Sequence, residues 1–223
     1  YEFSKSIKLN PSDAFAYGSR GYAKCEIKDY TGAINDLTKA IKLDPASADH
    51  YLNRGYAKSE SGENRDAIQD YNKAIEINPE FGFAYFKRAV SYALLGELQS
   101  AVNDFDTSIK FEPLYKLAFI NRGGVKTELK DYLGAIDDFN DVIKIDPSYA
   151  IAYAKRSRVN SLIGKTSEAM FDINQAIQLD PTDVGFWHLR AIIKYDTQDF
   201  EGVLNDMNEV FHLDPKLANY GPY

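Results

Sequence analysis

The chain has 223 residues, 44% of them hydrophobic, and a formal net charge of −7, which is typical of a soluble globular protein. A pI near 5.1 leaves no basic field that would attract phosphates, so general nucleic-acid binding is not expected. One cysteine, Cys25, and three histidines exclude an intrachain disulfide and a structural zinc cluster.

No apolar run approaches the roughly 18 residues that a membrane-spanning helix needs. We therefore expect a soluble protein, and an intracellular one rather than a secreted one. The first residue is Tyr1 rather than Met, which suggests a piece of a longer protein or a processed product.

Proline marks a strict internal repeat. Seven of the eight prolines follow one another at intervals of 34 residues: Pro11, Pro45, Pro79, Pro113, Pro147, Pro181 and Pro215. In chain order, this period gives a half repeat at 1–13, six full repeats and a C-terminal stub at 218–223. The full repeats are 14–47, 48–81, 82–115, 116–149, 150–183 and 184–217. A fixed period of this length is typical of repeat architectures, so we expect a single array over residues 1–223 with no domain boundary.

Each full repeat predicts a helical hairpin. Apolar residues recur at spacings of three and four, and small residues at two facing positions let two helices approach closely. The break between the helices falls near the fifteenth and sixteenth positions, as at Gly62-Glu63 and Lys130-Asp131. The second helix should end before the proline, which disfavours helical conformation in the preceding residue.

Three further positions carry a family signature. The fourth residue is always aromatic: Tyr17, Tyr51, Tyr85, Phe119, Tyr153 and Trp187. The eighth is always small: Gly21, Gly55, Ala89, Gly123, Ser157 and Ala191. The twentieth is alanine in five repeats and Val203 in the sixth. With the proline, this pattern resembles the tetratricopeptide repeat (TPR) family over essentially the whole chain. The resemblance implies an all-α, right-handed superhelical solenoid of 34-residue helix-turn-helix repeats.

The chain departs from the family at the seventh position, where leucine is usual. Every repeat has arginine there: Arg20, Arg54, Arg88, Arg122, Arg156 and Arg190. Every repeat also has aspartate at the twenty-third position: Asp36, Asp70, Asp104, Asp138, Asp172 and Asp206. Six matched pairs at one phase favour a packing contact over a ligand site. We predict bidentate ion pairs, in the same repeat or the adjoining one, with the guanidinium at least partly buried.

The resemblance also implies a concave surface, lined by the second, fifth, sixth, ninth, twelfth and thirteenth residues of the first helices. The candidate partner-binding residues on this surface are Phe15, Tyr22, Leu52, Asn53, Tyr56, Phe83, Phe86, Lys87, Val90, Leu117, Ile120, Asn121, Ile151, Lys155 and Arg158. About half of the apolar ones are expected only to pack against neighbouring first helices. Lys87, Lys155 and Arg158 share the inward phase and predict a positive spot suited to a carboxylate or a bound anion.

These features predict a scaffold for protein–protein interaction that binds a segment of a partner along the groove. The alternative is a self-assembly module whose repeat ends stack on each other or on further repeats. An RNA-binding repeat is disfavoured by the acidic balance, and no fifth-position lysine supports a clamp for chaperone tails. No cofactor, metal site or enzymatic activity is expected, because neither Cys25 nor the histidines have an identifiable catalytic partner.

The last repeat lacks the polar cap that usually ends a solenoid. Its second helix carries Leu204 and Phe211 where other repeats pack on a following helix. We expect these side chains to be covered by the folded-back stub, by another copy of the chain or by further repeats.

Overall fold

The computed structural model describes residues 2–217, which form thirteen α-helices and no strand. In chain order the helices are α1 (Glu2–Leu9), α2 (Ala14–Glu26), α3 (Tyr30–Leu43), α4 (Ala48–Glu60), α5 (Asn64–Ile77), α6 (Gly82–Leu94), α7 (Leu98–Phe111), α8 (Lys116–Glu128), α9 (Tyr132–Ile145), α10 (Ala150–Leu162), α11 (Thr166–Leu179), α12 (Val184–Asp196) and α13 (Phe200–Leu213).

The helices follow the predicted repeats closely. Each first helix, from α2 to α12, begins on the first residue of a predicted repeat, and each second helix ends two residues before a proline. The half repeat supplies only α1, which packs on α2. The all-α fold class of 34-residue helical hairpins is therefore confirmed.

The helices divide into two compact units, one up to Ala118 and the other from Phe119 onward. In the first unit, successive helices from α1 to α7 contact one another. In the second unit, α9 to α13 do the same. The expectation of one array over 1–223 stays a prediction.

Small residues set the distance between the two helices of a hairpin. A Cβ on Gly55 would lie 2.6 Å from Cε1 of Tyr71, and one on Gly21 would lie 2.6 Å from Cγ of Leu37. The alanine at the twentieth position is fully buried in the same contact, as Ala67 shows. The eighth position must therefore stay small because a large side chain of the second helix packs directly over it.

A left-handed residue joins the helices of each hairpin. The fifteenth position has a positive φ in every repeat, and glycine occupies it at Gly62, Gly96 and Gly164. Elsewhere a bulkier residue holds the same conformation, as Lys130 does with φ of 63°. The next residue then caps the second helix: the Asp131 carboxylate accepts a hydrogen bond from the Gly134 N–H at 3.1 Å.

The seventh-position arginine ties three helices together. Arg54 donates from Nη2 and Nε to the two carboxylate oxygens of Asp70, at 2.6 and 3.0 Å, and from Nη1 to Thr38 at 3.2 Å. Its guanidinium also lies over the Tyr51 ring, 5.7 Å from the centroid. Thr38 belongs to the second helix of the preceding repeat, so one side chain joins the hairpin to its predecessor.

The predicted arginine–aspartate pairs are confirmed in every full repeat. The side chains are mostly buried, with 17% of Arg54 and 5% of Asp70 exposed. The bond from Nη1 to the preceding second helix recurs as Arg20–Ser4, Arg88–Asn72, Arg156–Asn140 and Arg190–Asn174.

A second cation, which the sequence analysis missed, joins most of these pairs. Lysine at the eleventh position contacts the same aspartate at 2.7–3.1 Å in four repeats: Lys24–Asp36, Lys58–Asp70, Lys126–Asp138 and Lys194–Asp206. Burial alone would raise the pKa of Asp36, but hydrogen bonds from Arg20 and Lys24 outweigh it and lower the pKa. The fifth repeat has Asn160 at this position, so Asp172 pairs with one cation only.

We predict that Arg156→Met destabilises the protein more than Arg54→Met does. The first change leaves the buried Asp172 without a cation, at a cost of about 3 kcal/mol, whereas Asp70 keeps Lys58. Chemical denaturation of both variants gives the two losses in free energy of unfolding. The double change Arg156→Met, Asp172→Leu should be close to neutral; equal losses for the two single variants would contradict the role given to the lysine.

We predict that Lys130→Gly stabilises the protein by about 0.5–1 kcal/mol, since glycine adopts a positive φ without the steric cost that lysine has. The reciprocal control is Gly62→Ala, which should cost about 1 kcal/mol although no atom lies within 4 Å of the added Cβ. The denaturation midpoints of the two variants, each relative to the wild type, measure these changes in stability. A loss of stability in Lys130→Gly would show that the turn is not strained.

Candidate partner-binding face

Successive first helices contact one another inside each unit: α2 with α4 and α4 with α6 in the first unit, and α10 with α12 in the second. They therefore build a continuous surface within each unit. We call the predicted positions on α2, α4, α6 and the start of α8 the first-unit face. It comprises Phe15, Tyr22, Leu52, Asn53, Tyr56, Phe83, Phe86, Lys87, Val90 and Leu117.

Nine of the ten side chains of the first-unit face are at least partly exposed to solvent. Phe15 is 75% exposed, Tyr22 49%, Leu117 42% and Phe83 40%. Partial exposure is shared by Leu52, Asn53, Tyr56, Lys87 and Val90. Phe86, in contrast, is only 6% exposed and belongs to the packed interior. The accessible part of the face is thus aromatic and aliphatic, with one amide and one ammonium group.

The predicted partner-binding residues of the second unit include two exposed cations, unlike the mostly apolar first-unit face. Ile151, Lys155 and Arg158 are exposed on α10, Asn121 is half-buried, and Ile120 is buried with 7% exposure. Lys155 and Arg158 are three residues apart on one helix and therefore lie on the same side of it.

An aromatic cluster anchors Phe83 in the first-unit face. Its ring centroid is 4.9 Å from that of Tyr115, which is also 4.9 Å from Phe86, and Phe86 packs 5.8 Å from Phe105. Burial raises the pKa of Tyr115. Tyr115 occupies the last position of its repeat and is not among the groove positions predicted from the sequence. The cluster fixes Phe83 while leaving a large part of its ring exposed.

Lys87 is held against the face rather than extended from it. Its ammonium lies 4.3 Å from the centroid of the Tyr56 ring, within the range of a cation–π contact. Burial lowers the pKa of Lys87, and the nearby Glu60 opposes this shift. The positive charge predicted for this position is therefore partly satisfied by an aromatic ring and a carboxylate of the same unit.

Cys25 and His50, two side chains of types that often act in catalysis, are buried. Cys25 is 3% exposed, and burial raises the pKa of its thiol to about 11, so it is protonated at neutral pH. His50 is also buried, with its Nε2 against Gly18 and no hydrogen-bond partner for Nδ1.

Across residues 2–217, the His, Cys, Asp and Glu side chains form no group of three that could hold a metal ion. Within the same range, no helix is both long and apolar enough to cross a membrane.

Sequence models of the tetratricopeptide repeat match residues 48–81 and 150–183, and a TPR repeat model matches residues 21–62. The first two ranges coincide with the second and fifth full repeats. No curated protein sequence matches this chain.

Several solved structures share the fold. A tetratricopeptide repeat protein from Parabacteroides merdae superimposes with a TM-score of 0.77 at 22% identity, covering 89% of this chain and 79% of its own. YrrB, described as a TPR protein with an unusual peptide-binding site, gives a TM-score of 0.70 at 19% identity over 85% of this chain and 98% of its own. A MamA fragment from Desulfovibrio magneticus gives 0.69 at 20% identity over 76% and 96%.

At these identities the similarity concerns the fold. The repeat type comes from the repeat models, together with the repeat period and the helix boundaries that agree with it. The chain carries tetratricopeptide repeats, which these models match over residues 21–81 and 150–183.

Proposed function

We propose that the protein is a non-catalytic scaffold that binds a segment of a protein partner on the first-unit face. The observation that carries this proposal is Phe83, which is 40% exposed although its ring is fixed against Tyr115. Exposed apolar side chains on neighbouring helices are typical of surfaces that bind peptides or amphipathic helices. The description of YrrB as peptide-binding supports the same class of function for this fold.

The chemistry of the face favours a partner with apolar side chains. Phe15, Leu52 and Phe83 would bury aliphatic or aromatic groups, contributing about 25 cal/mol for each Å² removed from water. Asn53 offers an amide for hydrogen bonds to the backbone of the partner. Because Phe83 is already positioned, binding would cost little side-chain entropy.

We predict that Phe83→Glu weakens partner binding at least tenfold without unfolding the protein. A carboxylate at this position would have to be desolvated by an apolar partner. The measurement is affinity capture followed by titration of the captured partner, with circular dichroism to confirm the helical content.

The matched control is Leu133→Glu, at a residue 67% exposed on α9, a second helix outside the face. This variant should retain binding. Phe86→Glu is unsuitable as a test because Phe86 is buried. Equal binding by wild type and Phe83→Glu would place the partner on a different surface.

The second function that we propose is self-association through α13. Leu204 is 67% exposed, whereas the residues at its position in the other repeats are buried or half-buried: Ile34, Ile68, Val102, Ile136 and Met170. Phe211 is 36% exposed, compared with 9% for the equivalent Ile41. The stub 218–223, one of the three covers predicted for this surface, lies outside the described residues.

We predict that a dimer packing on α13 would dissociate in the Leu204→Glu variant, because the new carboxylate would be buried at the contact. Sedimentation velocity over a range of protein concentrations measures the change. Leu133→Glu again serves as the control with the same charge. A wild-type protein that remains monomeric at high concentration would contradict self-association.

A further inference from the structure

The fifth repeat lacks a lysine that four other repeats use in the same way. In three of these, the ammonium of the eleventh-position lysine also donates to a backbone carbonyl of the second helix, at 3.3–3.5 Å: Lys24 to Gly32, Lys126 to Gly134 and Lys194 to Gly202. The site around each ammonium therefore combines a buried carboxylate with a carbonyl oxygen. In the fifth repeat the corresponding groups are the Asp172 carboxylate and the carbonyl of Glu168.

Asn160 replaces the lysine without filling its space. Its amide donates to Asp172 Oδ2 at 3.2 Å and so takes over one contact of the missing ammonium. The shorter side chain borders a cavity of about 430 Å³ between α9, α10 and α11. The cavity is lined by Asn160, Asp172 and Glu168, with Phe171 and Ile136 on its apolar sides. The cavity is open to solvent over much of its surface, so it would enclose only part of a ligand.

The charges in the cavity favour a cation. Asp172 is paired only with Arg156, and its side chain is 3% exposed, so its field is weakly screened. Arg156 is engaged by Asp172 and by Asn140. Lys165 and Glu168 also border the cavity, but both are exposed, so water screens their opposite charges and neither decides the sign of the ligand. The four repeats in which lysine contacts the equivalent aspartate show that this carboxylate takes a second cation beside the arginine.

We propose that this cavity binds a protonated primary amine carried on an alkyl chain. The ammonium takes the place of the missing lysine and donates to Asp172 and to the Glu168 carbonyl. The alkyl chain lies against Ile136 and the Phe171 ring, which is 62% exposed. A lysine side chain of a partner protein and a free polyamine share this chemistry. The site is independent of the first-unit face.

The test is a titration of ¹⁵N-labelled protein with n-butylammonium chloride, followed by NMR. We expect saturable shifts of the Asn160 side-chain amide and of the Glu168 and Phe171 backbone amides, with a dissociation constant in the millimolar range. The uncharged analogue n-butanol should bind at least tenfold more weakly.

Two variants make the test specific. Asn160→Lys restores the lysine of the other repeats, and we expect the folded variant to lose n-butylammonium binding at least tenfold. Lys194→Asn is the matched control: it removes the ammonium that contacts Asp206 at 2.9 Å and leaves the fifth repeat untouched, so n-butylammonium should bind there as in the wild type. Binding that persists in a folded Asn160→Lys variant would overturn the proposal.

Further titrations separate the possible ligands. Tighter binding of Nα-acetyl-lysine methylamide than of 1,5-diaminopentane would support a protein lysine, and the reverse order would support a free polyamine. Saturable binding of inorganic phosphate near Lys165, without binding of n-butylammonium, would show an anion site and overturn the proposal.

Discussion

The rest of the structure depends on the ion pair that the seventh-position arginine of each repeat makes with an aspartate. Its guanidinium binds both oxygens of an aspartate on the second helix and lies over the aromatic residue one turn earlier on its own helix. In five repeats its remaining amino group reaches the preceding second helix, as Arg54 does at Thr38. Planar, bidentate geometry fixes the relative rotation of these helices more tightly than an aliphatic contact would. The same side chain thus defines each hairpin and, in these five repeats, its position against the preceding helix.

Burying the arginine and aspartate removes their charges from water, which costs desolvation free energy. Additional hydrogen-bond donors to the aspartate offset this cost. The aspartates are nearly inaccessible, as in the 2% exposure of the Asp206 side chain, and an unpaired carboxylate there would be strongly destabilising. Four repeats supply a second cation from lysine, and the fifth supplies an amide from Asn160. This coupling accounts for the recurrence of arginine with aspartate, because loss of the arginine leaves a buried carboxylate with at most one cation.

The surface of one repeat differs from that of the others where its sequence departs from the common pattern. Phe86 at a fifth position lets Tyr115 pack against it edge to face, and Tyr115 in turn holds Phe83 at the surface. The Asn160 substitution leaves the common ion pair intact while a cavity remains beside it. Both features use a rigid scaffold made by the shared residues, so a change in one side chain alters the surface without altering the fold.

The sequence by itself determined the repeat boundaries, the helical hairpins and the arginine–aspartate pairs. These features depend on local conformation and on contacts between positions that keep a constant spacing, such as the sixteen residues between Arg54 and Asp70. Only the tertiary structure decided which predicted groove residues are accessible. Phe83 and Phe86 are both aromatic and three residues apart, yet one is 40% and the other 6% exposed.

The difference arises because burial depends on the neighbouring side chains from other helices, which the repeat pattern does not specify. Lys87 likewise lies over Tyr56 of the preceding repeat, a contact set by the packing of α4 against α6. The cavity beside Asn160 has the same origin, since its volume depends on the side chains of three helices and not on Asn160 alone.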